Sequence, residues 1–107
     1  MAKRKHSVYV VELDREVLKS RKFYDANPDH NPALECFYVG QTGLDPDVRF
    51  DNHKRGYKGN RYVKKFGLYL RPDLYEKYNP MSYQDSLRLE EEIALWLRGL
   101  GHAVWFS

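Results

Sequence analysis

Three glutamates stand in a row at Glu90, Glu91 and Glu92. On a helical wheel of about 100° per residue, Leu89, Ile93, Trp96, Leu97 and Leu100 share one arc that must face a core. Arg88, Glu91, Glu92, Leu95, Arg98 and Gly99 fall mainly on the other side. Glu90 alone lands at the rim of the apolar arc, beside Ala94 and Leu97. An ionised carboxylate half out of water is costly unless it meets a cation or a donor. Glu90 therefore reads either as a ligand for a divalent metal or as one half of an ion pair with an arginine.

Two further pairs have chemical potential. Arg49 and His53 are four residues apart, so on a helix they project from one face. A guanidinium offers a fork of donors suited to phosphate oxygens, and an imidazole one turn on can take or give a proton near neutral pH. Tyr9 and Tyr38 lie in two β-rich runs that should pair. If both point to one face, two phenols meet near the Arg49 helix. A phenol has a pKa near about 10 and is a poor base unless cations favour its phenolate. The plainer alternatives are a surface pair for Arg49 and His53 and ordinary strand tyrosines for the other two.

The elements that must position these residues follow from local patterning. Residues 7–13 are β-branched and aromatic, and residues 34–40 repeat that signal, so both are predicted strands. Between them, residues 14–32 are polar and end in a loop-rich Asn-Pro-Asp-His-Asn-Pro run, with room for a helical turn around Leu18 and Phe23. Asp45 is a suitable N-cap, followed by Pro46 at the first helical position and Asp47. That helix should run to about His53 or Lys54 and stop at Gly56. A short helix over residues 60–66, a strand over 68–70 and a proline-bearing loop over 71–80 come next. Ser82 caps the longest helix, which runs to residues 98–100, and residues 103–106 could close the sheet as a last strand. This order predicts an α+β domain with a small, mostly antiparallel sheet of three strands, or four, flanked by helices.

Length and charge narrow the partners. A chain of 107 residues supports one core, so a single domain is expected, with residues 1–6 as a disordered basic tail. Cys36 is the lone cysteine, which excludes an internal disulfide and a cysteine-rich zinc site and suits the cytoplasm. No apolar run approaches the roughly 18 residues of a membrane span, and no signal-peptide core follows the N-terminus; no membrane partner is expected. Between Val48 and Arg71 eight basic residues face one acid, Asp51, a balance of +7. With +3 overall, the remainder carries −4. The stripe, which includes Lys54, Arg55, Lys58, Arg61, Lys64 and Lys65, is interleaved with Tyr57, Tyr62, Phe66 and Tyr69, the footprint of a polyanion binder. A solvated surface would also account for the charge.

Taken in chain order, Val8-Tyr9, Tyr38-Val39-Gly40, Arg49 with His53, and Glu90 inside residues 87–93 resemble the GIY-YIG nuclease superfamily. The resemblance spans nearly the whole chain, and its most specific part is Phe37-Tyr38-Val39-Gly40-Gln41-Thr42 followed by the Arg49 helix. It implies a metal-dependent endonuclease acting on DNA phosphodiesters with one divalent ion, Mg2+ or Mn2+, held by Glu90. In that scheme Tyr9, or a water it helps deprotonate, is the base. Arg49 and Tyr38 steady the scissile phosphate, and His53 assists proton transfer or positioning. Lys54, Arg55, Lys58, Arg61, Lys64 and Lys65 would grip flanking DNA phosphates. Gly40 completes the second motif. His102 stands at the offset where the family has a supporting Asn, and Ser7 stands where its first motif has Gly. Residues 14–33 form an insertion in place of a short hairpin connection. The alternative is the same fold with weakened catalysis, serving as a nucleic-acid-binding or protein-interaction module. A homodimer, or a partner protein that supplies targeting, remains open.

Overall fold

A computed structural model describes residues 4–107. Its framework is a four-stranded sheet in the order β3-β1-β2-β4, made of β1 (Ser7–Leu13), β2 (Cys36–Thr42), β3 (Gly67–Leu70) and β4 (Ala103–Phe106). β1 pairs antiparallel with β2 and with β3, and β4 joins the far side of β2 in parallel. The fold is therefore α+β with a mixed sheet, and the last strand is present.

The register decides which side chains meet. Tyr9 lies opposite Gly40 and Val11 opposite Tyr38, so these four share one face of the pleat. Trp105 lies beside Tyr38 and belongs to the same face. Over it pack α2 (Pro46–Arg55) and α3 (Arg61–Phe66), with His53 against Tyr9 and Tyr62 against Trp105. α4 (Tyr83–Gly99) crosses the opposite face, where Ser86 Oγ donates to Gln41 Oε1 at 3.4 Å and Arg98 stacks over Phe106.

The helix boundaries follow their capping residues. Asp45 Oδ1 accepts from the Asp47 N–H, Pro46 opens α2, and Gly56 ends it at φ +81°, a left-handed conformation that suits a residue without Cβ. Asn60 Oδ1 caps α3 through the N–H groups of Tyr62 and Val63. Ser82 Oγ caps α4 through Asp85 N–H.

The segment between β1 and β2 is more ordered than its polarity suggests. It holds a 3₁₀ turn (Arg15–Lys19) and the short helix α1 (Arg21–Asp25). Buried Phe23 meets Tyr62 edge-on at 5.3 Å and Trp105 at 6.4 Å. Buried Asn27 ties it down, since its Oδ1 accepts from Arg98 Nε and from Val104 N–H.

Two expectations change here. His6 exchanges backbone hydrogen bonds with Met81 at 2.9 and 2.8 Å, so the expected disordered tail does not reach residue 6; residues 1–3 of that tail lie outside the described residues. The wheel of α4 is also rotated. Trp96 and Leu100 are both 54% exposed, and the buried side is Ser86, Glu90, Ile93, Ala94 and Leu97. Glu90 thus sits within the buried face rather than at its rim. The helix has more apolar residues than the sheet can cover, and the wheel alone does not say which arc the sheet takes.

Candidate active site

Three rings from three elements form a triangle on the α2–α3 face. Tyr9 and Tyr38 are 6.1 Å apart between centroids, Tyr9 and His53 5.9 Å, and Tyr38 and His53 5.7 Å. The close approach of the phenols requires Gly40. A Cβ there would stand 2.6 Å from Tyr9 Oη and 3.0 Å from the Tyr38 ring. The cluster is enclosed, with Tyr9 1%, Tyr38 4% and His53 0% exposed.

His53 is held at both nitrogens. Its Nδ1 accepts from the backbone N–H of Asn60 at 2.9 Å, and its Nε2 lies 2.7 Å from Tyr9 Oη. A backbone N–H can only donate, so Nδ1 carries no proton and the neutral ring keeps its proton on Nε2. Nε2–H therefore donates to the Tyr9 oxygen. Gly59 makes this fit possible, since a Cβ at that position would come within 2.9 Å of the His53 backbone. Burial, aided by the Arg49 charge, holds the His53 pKa down to about 4.

Both phenols are pushed above their usual pKa. For Tyr9 burial is the main cause, followed by neighbouring Tyr38, with the Arg49 charge opposing. For Tyr38 burial again leads, and the hydroxyl of Ser107 opposes it. Both are neutral near neutral pH unless a cation arrives.

Glu90 lies on α4, across the sheet from this cluster, and its carboxylate stands beside Ser107, the residue that follows β4. Glu90 is 4% exposed, and its Oε2 accepts from Ser107 Oγ at 3.2 Å. Among the described residues it enters no ion pair, so the arginine-partner alternative does not hold. Burial pushes its pKa up to about 7, with Ser107 opposing. One carboxylate beside a hydroxyl is a hard oxygen donor pair, the ligand type that small divalent ions take. No group of three or more His, Cys, Asp or Glu among the described residues could hold a metal by itself.

Arg49 is half-buried, and its guanidinium donates to the carbonyls of Tyr57 at 3.4 Å and Lys58 at 2.8 Å. It ties down the turn after α2 while its charge acts on Tyr9, Tyr38 and His53. It has no carboxylate partner among the described residues.

Compared with protein-family models, curated proteins and solved structures, the chain matches none.

The remaining expected residues divide. His102 is away from the cluster: its Nδ1 lies 2.9 Å from the Glu35 carbonyl and its ring packs on Phe37, whose side chain is on the opposite sheet face from Tyr38. The hydroxyl that meets Glu90 is instead that of Ser107. Ser107 follows β4 directly, and the strand's parallel register carries it to the level of Gly40; no sequence pattern marks it. Asn60 is recognisable as a helix cap, but nothing in the sequence links its backbone N–H to His53. In the basic stripe, Lys54 Nζ donates to the carbonyls of Lys64 and Gly67 at 3.1 and 2.9 Å, which closes the end of α3. Arg71 is clamped by Glu12 at 2.7 Å and Asp73 at 2.9 Å. Arg71 is thus neutralised by its own chain, whereas Lys54, exposed and bonded only to carbonyls, keeps its charge. Arg55, Lys58, Arg61, Lys64 and Lys65 are exposed.

Proposed function

We propose that the chain is a metal-dependent endonuclease-like domain of the GIY-YIG type that hydrolyses DNA phosphodiesters. The observation that carries this reading is Glu90, a buried carboxylate without a cationic partner, set behind a Tyr9–Tyr38–His53 cluster. A buried lone carboxylate is destabilising, and a divalent ion would relieve that cost. When bound by Glu90, Mg2+ or Mn2+ would supply positive charge to the scissile phosphate and to developing oxyanions.

The other roles belong to side chains. Tyr9 would accept the proton of the attacking water, directly or through a second water. The Nε2–H of His53 favours the phenolate that this needs, and Arg49 lowers its cost electrostatically. Tyr38 would donate to a non-bridging phosphate oxygen. Phosphoryl transfer depends mainly on positioning and charge stabilisation, which these groups can provide.

The burial of Tyr9 and His53 favours a second reading: the same fold retained as a nucleic-acid-binding module with catalysis lost. A plasmid-nicking assay with Mg2+ separates the two. The nuclease reading expects nicking by the wild type and its loss in Tyr9→Phe and Glu90→Gln. Undiminished nicking by Glu90→Gln would remove the role of this carboxylate. Absence of nicking by a wild type that still binds DNA would leave the module.

A further inference from the structure

The insertion between β1 and β2 forms one wall of a cleft, and α3 forms the other. The cleft measures about 510 Å³; its rim carries Lys19 and Lys22 from the insertion and Arg61 and Lys65 from α3, with Tyr62 and Phe66 beneath. No acidic residue lines it. Lys19 pairs with Glu16 at 2.7 Å, whereas Lys22, Arg61 and Lys65 enter no ion pair among the described residues.

These cations are positioned rather than scattered. Arg61 lies 4.8 Å over the Tyr62 ring and donates to its hydroxyl at 2.9 Å. Lys65 lies 5.3 Å over Phe66, and Lys22 lies 5.8 Å over Trp105. Such stacking orients a cation without neutralising it. Arg61 and Lys65 are four residues apart on α3 and so project from one face. Gathering unpaired like charges around a concavity is unfavourable until a polyanion enters.

The position of the cleft identifies the polyanion. Trp105 lies beside Tyr38 on one sheet face, and Arg61 follows Asn60, whose N–H holds His53. The cleft therefore opens on the same face as the tyrosine cluster and next to it. A cationic rim without acids suits the phosphates of nucleic acid, and Tyr62, buried beneath Arg61, orients that cation toward them.

We propose that the insertion and α3 together form a track for the phosphodiester backbone of DNA, with Lys22, Arg61 and Lys65 as its phosphate contacts. The link from this track to strand cleavage rests on the nuclease reading; the binding itself does not. The test is fluorescence anisotropy of a labelled DNA with the full chain, without divalent metal, over a range of salt. Lys22→Glu combined with Lys65→Glu should weaken binding at least about tenfold and lower the slope of log K against log salt by about two. Lys77→Glu, a single charge reversal on a lysine outside the cleft and so half the charge change of the double variant, should stay within about twofold of the wild type. Alanine at positions 22 and 65 should reproduce the lower slope and guards against a folding defect in the glutamate variant. Equal affinity and slope in the cleft variants and Lys77→Glu would overturn the track, as would binding of an acidic peptide as tightly as DNA. Loss of slope in the cleft variants, with no nicking by the wild type, would sustain the track while the nuclease reading failed.

Discussion

The backbone N–H of Asn60 donates to Nδ1 of His53 at 2.9 Å, which puts the proton of the neutral ring on Nε2, facing Tyr9 Oη at 2.7 Å. His53 is therefore a donor to Tyr9, not the acceptor of its proton. Protonating the ring would set Nδ1–H against the Asn60 N–H, and burial opposes the charge as well. Nitrogen-detected NMR should find the Nε2–H tautomer throughout the range between about pH 5.5 and 8. A His53 titration near its ordinary value of 6.5 would contradict this arrangement. Gly59→Ala, which drives the Asn60 segment off His53, should move the titration toward that ordinary value.

Glu90 gives stability a pH dependence of defined sign. Its pKa in the folded chain, about 7, lies above the ordinary 4.5, so between those values the native state binds the extra proton. Stability from this group is full below the lower value and falls as pH rises through the higher one. Glu90→Gln removes the penalty. Its melting temperature should match the wild type near about pH 4 and exceed it near about pH 8. Added Mg2+ should raise the melting temperature of the wild type at the higher pH and leave Glu90→Gln unchanged. A variant less stable than the wild type at the higher pH would refute the lone-carboxylate account.

Gly40→Ala places a Cβ 2.6 Å from Tyr9 Oη and 2.7 Å from Cζ. The phenol must swing away from His53 to relieve the clash. A loss of about 1–3 kcal/mol is expected from overpacking, together with a changed His53 environment by NMR. Unfolding by urea measures the first effect; an unchanged midpoint would show that the ring has room.

Lys54→Met keeps the aliphatic stem and removes the ammonium from the carbonyls at the end of α3. A cost of about 1 kcal/mol is expected. The salt slope of DNA binding should stay that of the wild type, in contrast to the cleft variants. A lower slope would return Lys54 to the phosphate contacts.

The residue types of the cluster and the elements that carry them were legible in the sequence. Two β-branched runs placed Tyr9 and Tyr38 on strands, and Asp45-Pro46 with Gly56 bounded the helix that bears Arg49 and His53. Ser82 marked the start of the helix that bears Glu90. Those signals are local: capping hydrogen bonds, strand alternation and the freedom of glycine act within a few residues. Other features were not legible. The arc of α4 that is buried depends on how much of it the sheet can cover. The order within residues 14–33 comes from Phe23 and Asn27 reaching distant partners, which overrides a polar composition.

The sequence by itself determined the α+β class, the strands and helices that hold the candidate residues, and a basic segment. Only the tertiary structure decided that His53 donates to Tyr9, that Ser107 rather than His102 meets Glu90, and that Arg71 is neutralised and Lys54 hydrogen-bonded by their own chain. The reason is that a hydrogen bond is satisfied by whichever partner folding brings within about 3 Å. Asn60, Ser107 and the carbonyls that meet Lys54 carry no pattern that announces them before the chain closes.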